Sequence, residues 1–189
     1  MDEVNETLKK QMAALLRVIS AANYYKQDNV PCQIEEGLFL GSVGAAANKQ
    51  ALKNLNVTHV LTVANTLTPA HPNDFVYKTI SVVDRDDADI KQYFSECFDF
   101  IDEGKRLGGT LVHCFAGRSR RKLVAAFHRS CFQYTIHNVT IVVAYLMKTH
   151  RMSLSQALEH VKSRRPTASP NLGFIRQLED FEKSLQGAN

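Results

Sequence analysis

The sequence lacks the features that mark membrane, fibrous and disordered proteins. Its longest apolar run, residues 139–147, is about half of the roughly 20 residues that a membrane span needs, so we expect no transmembrane segment. Glycine and proline number only 9 and 5 among 189 residues, which excludes a collagen-like repeat. With 44% hydrophobic and 22% charged residues, the composition is that of a globular domain with a substantial core.

Cysteine is scarce, and the start of the chain is acidic. There are 4 cysteines, and residues 1–6 lack the basic-then-apolar order of a secretory signal peptide. We therefore expect reduced thiols, in a protein of the cytoplasm or the nucleus, rather than structural disulfides. The net charge of +4 favours anionic partners only mildly. Because few aromatic residues stand among the basic ones, we expect no nucleic-acid partner.

Residues 1–29 are expected to form an extension outside the compact domain. Between residues 6 and 26, apolar side chains recur at helical spacing while basic side chains occupy the other face. The apolar stripe predicts docking on the domain or, alternatively, binding of calmodulin or an anionic surface by a basic amphipathic helix. Pro31 breaks the pattern, so one domain is expected over residues 30–189.

Strand-like and helix-like stretches alternate through that domain. Residues 57–63 are rich in β-branched side chains and almost all apolar, as expected of a strand buried on both faces. Further strands are predicted at 34, 38–40, 77–83 and 110–113, and helices at 45–55, 90–107, 139–149, 154–163 and 170–185. Ser169 is the expected N-cap of the last helix, with Pro170 at its first position. The alternation predicts the α/β class with a central, mostly parallel sheet.

The most informative stretch, residues 112–120, joins a short apolar strand to a helical segment. Backbone N–H groups between residues 115 and 120 can surround a tetrahedral dianion at a helix start, where the dipole favours negative charge. The same field favours the thiolate of Cys114. Gly117 permits a tight curl, and Arg120 can bind two phosphoryl oxygens at once. These residues predict thiolate attack on phosphorus and a thiophosphate intermediate that water hydrolyses.

The pattern His113-Cys114-x-x-Gly117-x-x-Arg120 resembles the signature of cysteine-dependent protein tyrosine phosphatases. The surrounding sequence is similar to the dual-specificity branch of that superfamily, of the plant or atypical kind. The stretches that carry this narrower resemblance are 34–42, 58–61, 144–147, 165–166 and 170–174. The resemblance covers about residues 30 to 186, apart from one segment.

The resemblance implies a central sheet with helices on both faces and a shallow pocket for phosphotyrosine and for phosphoserine or phosphothreonine. It also implies hydrolysis through a cysteinyl-phosphate intermediate, with no cofactor and no metal. Signalling kinases of the mitogen-activated (MAP) class are the substrates that it suggests.

The resemblance further implies a role for each site residue. Cys114 would attack phosphorus, Arg120 would bind phosphoryl oxygens, and Asp84 would protonate the leaving oxygen. Asp86 and Asp87 remain alternatives for that acid, whereas Asp89 is expected as the N-cap of the next helix or in its first turn. The residues expected to line or brace the phosphate pocket are His113, Phe115, Ala116, Gly117, Arg118, Ser119 and Asn171.

One segment departs from the family pattern. The family has Ser or Thr directly after the loop arginine, with the supporting helix following at once. Here Arg121 follows, and the family-like helix resumes only at Val139. Residues 121–138 therefore resemble an insertion, which either forms a supporting helix itself or loops out. Because catalysis tolerates misplacement poorly, the alternative function is an impaired pseudophosphatase that binds phosphoproteins.

The insertion adds two further alternatives. Cys114, His128, Cys131 and His137 could form a zinc site, although their spacing lacks a paired Cys-x-x-Cys. Cys131 could instead act as a resolving thiol that forms a reversible disulfide with oxidised Cys114. Both alternatives require the insertion to lie near the pocket.

Overall fold

The computed structural model describes residues 28–64, 67–83, 85, 87–114 and 137–187. The helix predicted over residues 6–26 lies outside these ranges, so its calmodulin or anionic-surface partner stays a prediction. The strands are β1 (Cys32–Glu35), β2 (Leu38–Gly41), β3 (His59–Val63), β4 (Val76–Ile80) and β5 (Thr110–His113). The helices are α1 (Val43–Ala47), α2 (Lys49–Asn54), α3 (Phe94–Leu107), α4 (His137–His150), α5 (Leu154–Arg164) and α6 (Leu172–Gln186).

The five described strands form one sheet in the order β1-β2-β5-β3-β4. Only the β1–β2 pair is antiparallel, and every other neighbouring pair is parallel. The predicted α/β class with a mostly parallel central sheet is therefore confirmed. In this order β5 lies at the centre of the sheet, and its carboxyl end lies between those of β2 and β3.

Side chains of the central strands alternate between two hydrophobic cores, one on each face of the sheet. Leu61 and Val112 face a large core that α3, α4, α5 and α6 complete. Val60 and Leu111 face a smaller core with side chains from α1 and α2. This two-residue alternation is the geometry of a strand buried on both faces, and it confirms the helices expected on both sides. None of the helices within the described ranges is long and apolar enough to cross a membrane.

The predicted helices at 45–55 and 170–185 are capped differently in the structure. The helix expected at 45–55 is divided into α1 and α2, because Asn48 ends the first and its side chain accepts a hydrogen bond from the backbone N–H of Ala51. The last helix is capped by Asn171 rather than by Ser169. Asn171 Oδ1 accepts from the N–H of Phe174 at 2.7 Å, so the helix begins after Pro170 and not with it.

The described part of the chain begins beside the carboxyl edge of the sheet. Ser42, which follows β2, donates from its hydroxyl to the backbone carbonyl of Asp28 at 2.8 Å. The Asp28 carboxylate pairs with Arg165 at 2.6 Å, and this ion pair is largely buried. Asn48 adds a side-chain hydrogen bond to the carbonyl of Asn29. These contacts hold residues 28 and 29 at the edge where β5 ends.

Helix α3 packs closely on the sheet at Gly104, which gives a test of the fold. A Cβ atom there would lie 2.0 Å from Thr110 Oγ1 and 2.7 Å from His59 Cβ. We therefore expect Gly104→Ala to lower the free energy of unfolding by about 1–3 kcal/mol in urea titrations. Gly187→Ala is the matched control, because its Cβ would meet nothing closer than 3.5 Å, and we expect a change within about 0.5 kcal/mol. Equal stability of the two variants would contradict this packing.

Candidate active site

Cys114 lies directly after β5, at the centre of the carboxyl edge of the sheet. The preceding residue, His113, is flanked by Gly41 of β2 and Thr62 of β3 in the strand register. The Cys114 side chain is 1% exposed, so its sulfur lies within the fold rather than on its surface. Parallel sheets bind ligands at this edge, where strand ends leave a crevice.

His113 is a buried, neutral side chain that joins two strands. Its Nε2 lies 2.8 Å from the hydroxyl oxygen of Thr62 on β3. Burial lowers the pKa of His113 to about 4, while the neighbouring Cys114 backbone acts in the opposite direction. At neutral pH the ring therefore carries no positive charge. Its contact with Thr62 joins the end of β5 to β3.

The first turn of α4 contacts the sulfur of Cys114. The sequence predicts that this helix starts at Val139, but in the structure it starts at His137. Asn138 is thereby helical and fully buried, and its Oδ1 lies 3.2 Å from Cys114 Sγ. The sequence pattern does not identify Asn138 as a site residue, because residue 138 falls at the end of the apparent insertion. Its place directly before the family-like stretch 139–147 was the available signal.

The same contact places an anion-favouring helix end beside Cys114. Helix α4 has 14 residues, and the aligned peptide dipoles give its N-terminus a partial positive charge. Backbone N–H groups of a first helical turn have no partners within the helix and can bind phosphate oxygens. The geometry therefore favours negative charge at and near Cys114, as thiophosphate chemistry requires.

Two of the four aspartates in the segment 84–89 have other partners. Asp87 forms a two-point ion pair with Arg85, at 2.8 Å and 2.5 Å, on the protein surface. The hydrogen bonds from Arg85 lower the pKa of Asp87, so its carboxyl group is a poor proton donor at neutral pH. Asp89 lies just before the 3₁₀ helix Lys91–Tyr93 rather than in a first helical turn, and its carboxylate accepts from the backbone N–H of Gln92. Asp84 and Asp86 lie outside the described residues, and the prediction of Asp84 as the acid stays open.

The segment that carries these acids packs against α4 at one end and is hydrogen-bonded to α6 at the other. At the first end, the buried ring of His137 lies beside the backbone of Val83. At the other end, the amide of Gln177 on α6 donates to the carbonyl of Ala88 at 2.8 Å. The same amide accepts from the backbone N–H groups of Ile90 and Lys91 at 2.9 Å and 3.2 Å. Helices α4 and α6 thus set where the acid-bearing loop leaves and rejoins the core.

Other predicted residues fall outside the described ranges. They are Arg120, the loop residues 115–119, and His128 and Cys131 of the segment 121–136. The zinc site and the resolving thiol therefore stay untested. Among the residues that the structure does describe, no group of three or more His, Cys, Asp or Glu side chains could hold a metal ion. Asn171 is described as the cap of α6, and its predicted bracing of the phosphate loop stays a prediction.

Comparison with known proteins agrees with this geometry. The family model for the dual specificity phosphatase catalytic domain matches residues 38–129 and 138–184. The chain is 58% identical over 187 residues to dual specificity protein phosphatase 1 of Arabidopsis thaliana, covering 98% of this chain and 86% of that protein. It is 40% identical over 159 residues to MAP kinase phosphatase with leucine-rich repeats protein 2 of Dictyostelium discoideum, covering 84% of this chain and 20% of that protein.

The fold is similar as well. The crystal structure of human DUSP28 superposes with a TM-score of 0.71 and 28% sequence identity, covering 84% of this chain and 99% of that one. The chain therefore belongs to the dual specificity phosphatase family of the cysteine-dependent protein tyrosine phosphatases. It is a protein phosphatase of the tyrosine and serine/threonine class, and phosphorylated proteins are its substrates.

The buried histidines make stability depend on pH. Burial lowers the pKa of both His113 and His137 to about 4 from an ordinary value of 6.5. Between these values the unfolded chain binds more protons than the folded one, so stability falls as pH falls from about 7 towards 4. At pH 5, where most carboxylates are still ionised, each histidine should cost about 2 kcal/mol.

Urea unfolding at pH 7.5 and at pH 5 measures this effect. The His137→Gln variant should lose about 2 kcal/mol less than the parent chain on going to pH 5. The absolute stability of the variant also changes, since the ring contacts are lost, but the difference between the two pH values isolates the titration. An unchanged difference would show that His137 does not resist protonation in the folded state.

Proposed function

We propose that this phosphatase removes phosphate from phosphotyrosine and phosphothreonine of MAP-class kinases, in the cytoplasm or the nucleus. The observation that carries the proposal is the contact between the end of β5 and the first turn of α4. There the Cys114 sulfur lies 3.2 Å from Asn138 Oδ1. A nucleophile at a strand end and an anion-favouring helix start are the two requirements of phosphoryl transfer through cysteine. The kinase assignment is supported by the similarity to the Dictyostelium MAP kinase phosphatase.

In the first step, the thiolate of Cys114 donates an electron pair to phosphorus. A sulfur–phosphorus bond forms while the bond from phosphorus to the ester oxygen breaks. Arg120 binds two of the phosphoryl oxygens, where negative charge develops. The leaving oxygen takes its proton from the carboxyl group of Asp84, since a phenolate or alkoxide leaves poorly.

In the second step, water attacks the phosphorus of the cysteinyl phosphate. The carboxylate of Asp84 takes a proton from the water, a phosphorus–oxygen bond forms, and the sulfur leaves as thiolate. Inorganic phosphate departs, and both catalytic groups return to their starting protonation states. No cofactor enters this sequence of bonds.

The experiment is hydrolysis of a peptide that carries one phosphotyrosine and one phosphothreonine. We expect the full chain to remove both phosphates. Asp84→Asn should lower kcat by about 10²–10⁴-fold, because a general acid contributes that much to leaving-group departure. Asp87→Asn is the matched control on the same loop. It should retain most of the activity, since the Asp87 carboxylate is engaged by Arg85 on the surface.

Comparison of Asp84→Asn with Asp87→Asn shows which aspartate is the general acid. A large loss in Asp87→Asn with little loss in Asp84→Asn would place the acid at residue 87 and contradict the assignment. Removal of phosphotyrosine alone would contradict dual specificity. Hydrolysis of neither residue, by a chain that still binds the peptide, would show a phosphoprotein-binding module instead of an enzyme.

A further inference from the structure

The amide of Asn138 is fully buried, and all of its polar atoms have partners. Its Nδ2 donates to the backbone carbonyl of Gly41 at 2.9 Å and approaches that of Val112 at 3.4 Å. Its Oδ1 accepts from the N–H of Val139 at 3.0 Å and from Cys114 Sγ at 3.2 Å. One side chain therefore joins the ends of β2 and β5 to the first turn of α4.

These partners leave only one orientation of the amide. Reversal would place Oδ1 against the carbonyl oxygens of Gly41 and Val112, where acceptor would face acceptor. It would also turn Nδ2 towards the N–H of Val139, where donor would face donor. An unpaired buried polar group costs about 1–3 kcal/mol, so the observed orientation is strongly preferred. The atom that Asn138 presents to the sulfur is thus a hydrogen-bond acceptor.

The peptide dipoles at the start of α4 favour the thiolate of Cys114, and the Asn138 acceptor opposes them because it favours the protonated thiol. The S–H group can donate to Asn138 Oδ1, but ionisation removes that hydrogen and leaves a negative sulfur 3.2 Å from the negative end of the amide dipole. A hydrogen bond to one protonation state shifts the equilibrium towards that state. A hydroxyl group at the same position could instead rotate and donate to the thiolate.

We propose that Asn138 is a positioning residue that holds Cys114 in place and moves its ionisation, and with it turnover, to higher pH. Residue 138 directly precedes the family-like helix stretch, where the resemblance implies Ser or Thr after the loop arginine. The side chain at this position therefore sets the pH range of the nucleophile. This inference rests on the proposed function in that it takes Cys114 as the nucleophile.

The test measures the pH midpoint of Cys114 ionisation in the full chain. The thiolate is followed by its ultraviolet absorbance, as the difference between each protein and the same protein carrying Cys114→Ser. Asn138→Ser should lower the midpoint by about one pH unit, because a hydroxyl donor replaces the acceptor. Asn138→Asp, which is isosteric but charged, should raise it by about one pH unit through charge repulsion.

Midpoint shifts of opposite sign in Asn138→Ser and Asn138→Asp would distinguish a positioning role from a merely structural one. Asn48→Ser is the matched control, since Asn48 also serves a helix start but packs with α2 on the other face of the sheet, and its midpoint should equal that of the parent. Midpoints that stay equal in both Asn138 variants, or that move in the same direction, would overturn the inference. If Asn138→Ser fails to fold, as judged by circular dichroism, Asn138→Thr supplies the same hydroxyl donor, and a midpoint that is not lowered in that variant would overturn the inference.

Aryl phosphate hydrolysis distinguishes failure of this inference from failure of the proposed function. With an active enzyme, the acidic limb of kcat/KM against pH should move with the thiolate midpoint in Asn138→Ser. Suppose that turnover depends on Cys114, but neither the thiolate midpoint nor the acidic limb of kcat/KM shifts in Asn138→Ser. That result would sustain the function and overturn the role of Asn138. Shifted midpoints in a chain that hydrolyses nothing would sustain the role of Asn138 and overturn the function.

Discussion

The active site depends on the contact between the end of β5 and the start of α4. Asn138 hydrogen-bonds to the ends of two parallel strands, and the same side chain contacts the Cys114 sulfur. Because these groups are buried, displacement of α4 would leave several polar atoms unpaired, at a cost of about 1–3 kcal/mol each. The parallel sheet matters for function chiefly because it places β5 between two strands whose carboxyl ends support this contact. The thiol is therefore positioned by the core of the domain and not by a surface loop alone.

Neutral groups surround the nucleophile in the described part of the site. His113 and His137 are both buried, and burial lowers the pKa of each to about 4, so neither brings positive charge at neutral pH. Stabilisation of negative charge falls to the peptide dipoles at the start of α4 and to the proposed Arg120. The acid-bearing loop is likewise placed by neutral groups, with the ring of His137 beside the backbone of Val83 at one end and hydrogen bonds from Gln177 at the other. Such an arrangement keeps geometry constant while the ionisation of Cys114 and of the acid changes.

Local patterns in the sequence predicted much of the fold. The β-branched run around β3 and the apolar residues of β5 define strands that are buried on both faces, and this property depends only on nearby residues.

The cap of α6 was mispredicted because Ser169, Pro170 and Asn171 all suit a helix start. In the structure Asn171 is the cap, because its side chain accepts from the backbone N–H of Phe174. Asn138 escaped prediction for a different reason, since its contact with Cys114 spans 24 residues and periodicity carries no information about such pairs. The Arg85–Asp87 pair was equally invisible, although it weakens one candidate acid.

The central claim is that Cys114 forms a covalent bond to the transferred phosphoryl group. The most direct measurement is acid quenching of the full chain during turnover of an aryl phosphate, followed by peptide mass spectrometry. The account predicts one added phosphoryl group on the peptide that contains Cys114, and none in the Cys114→Ser variant. A phosphoryl group on another residue, or turnover that persists in Cys114→Ser, would contradict the account.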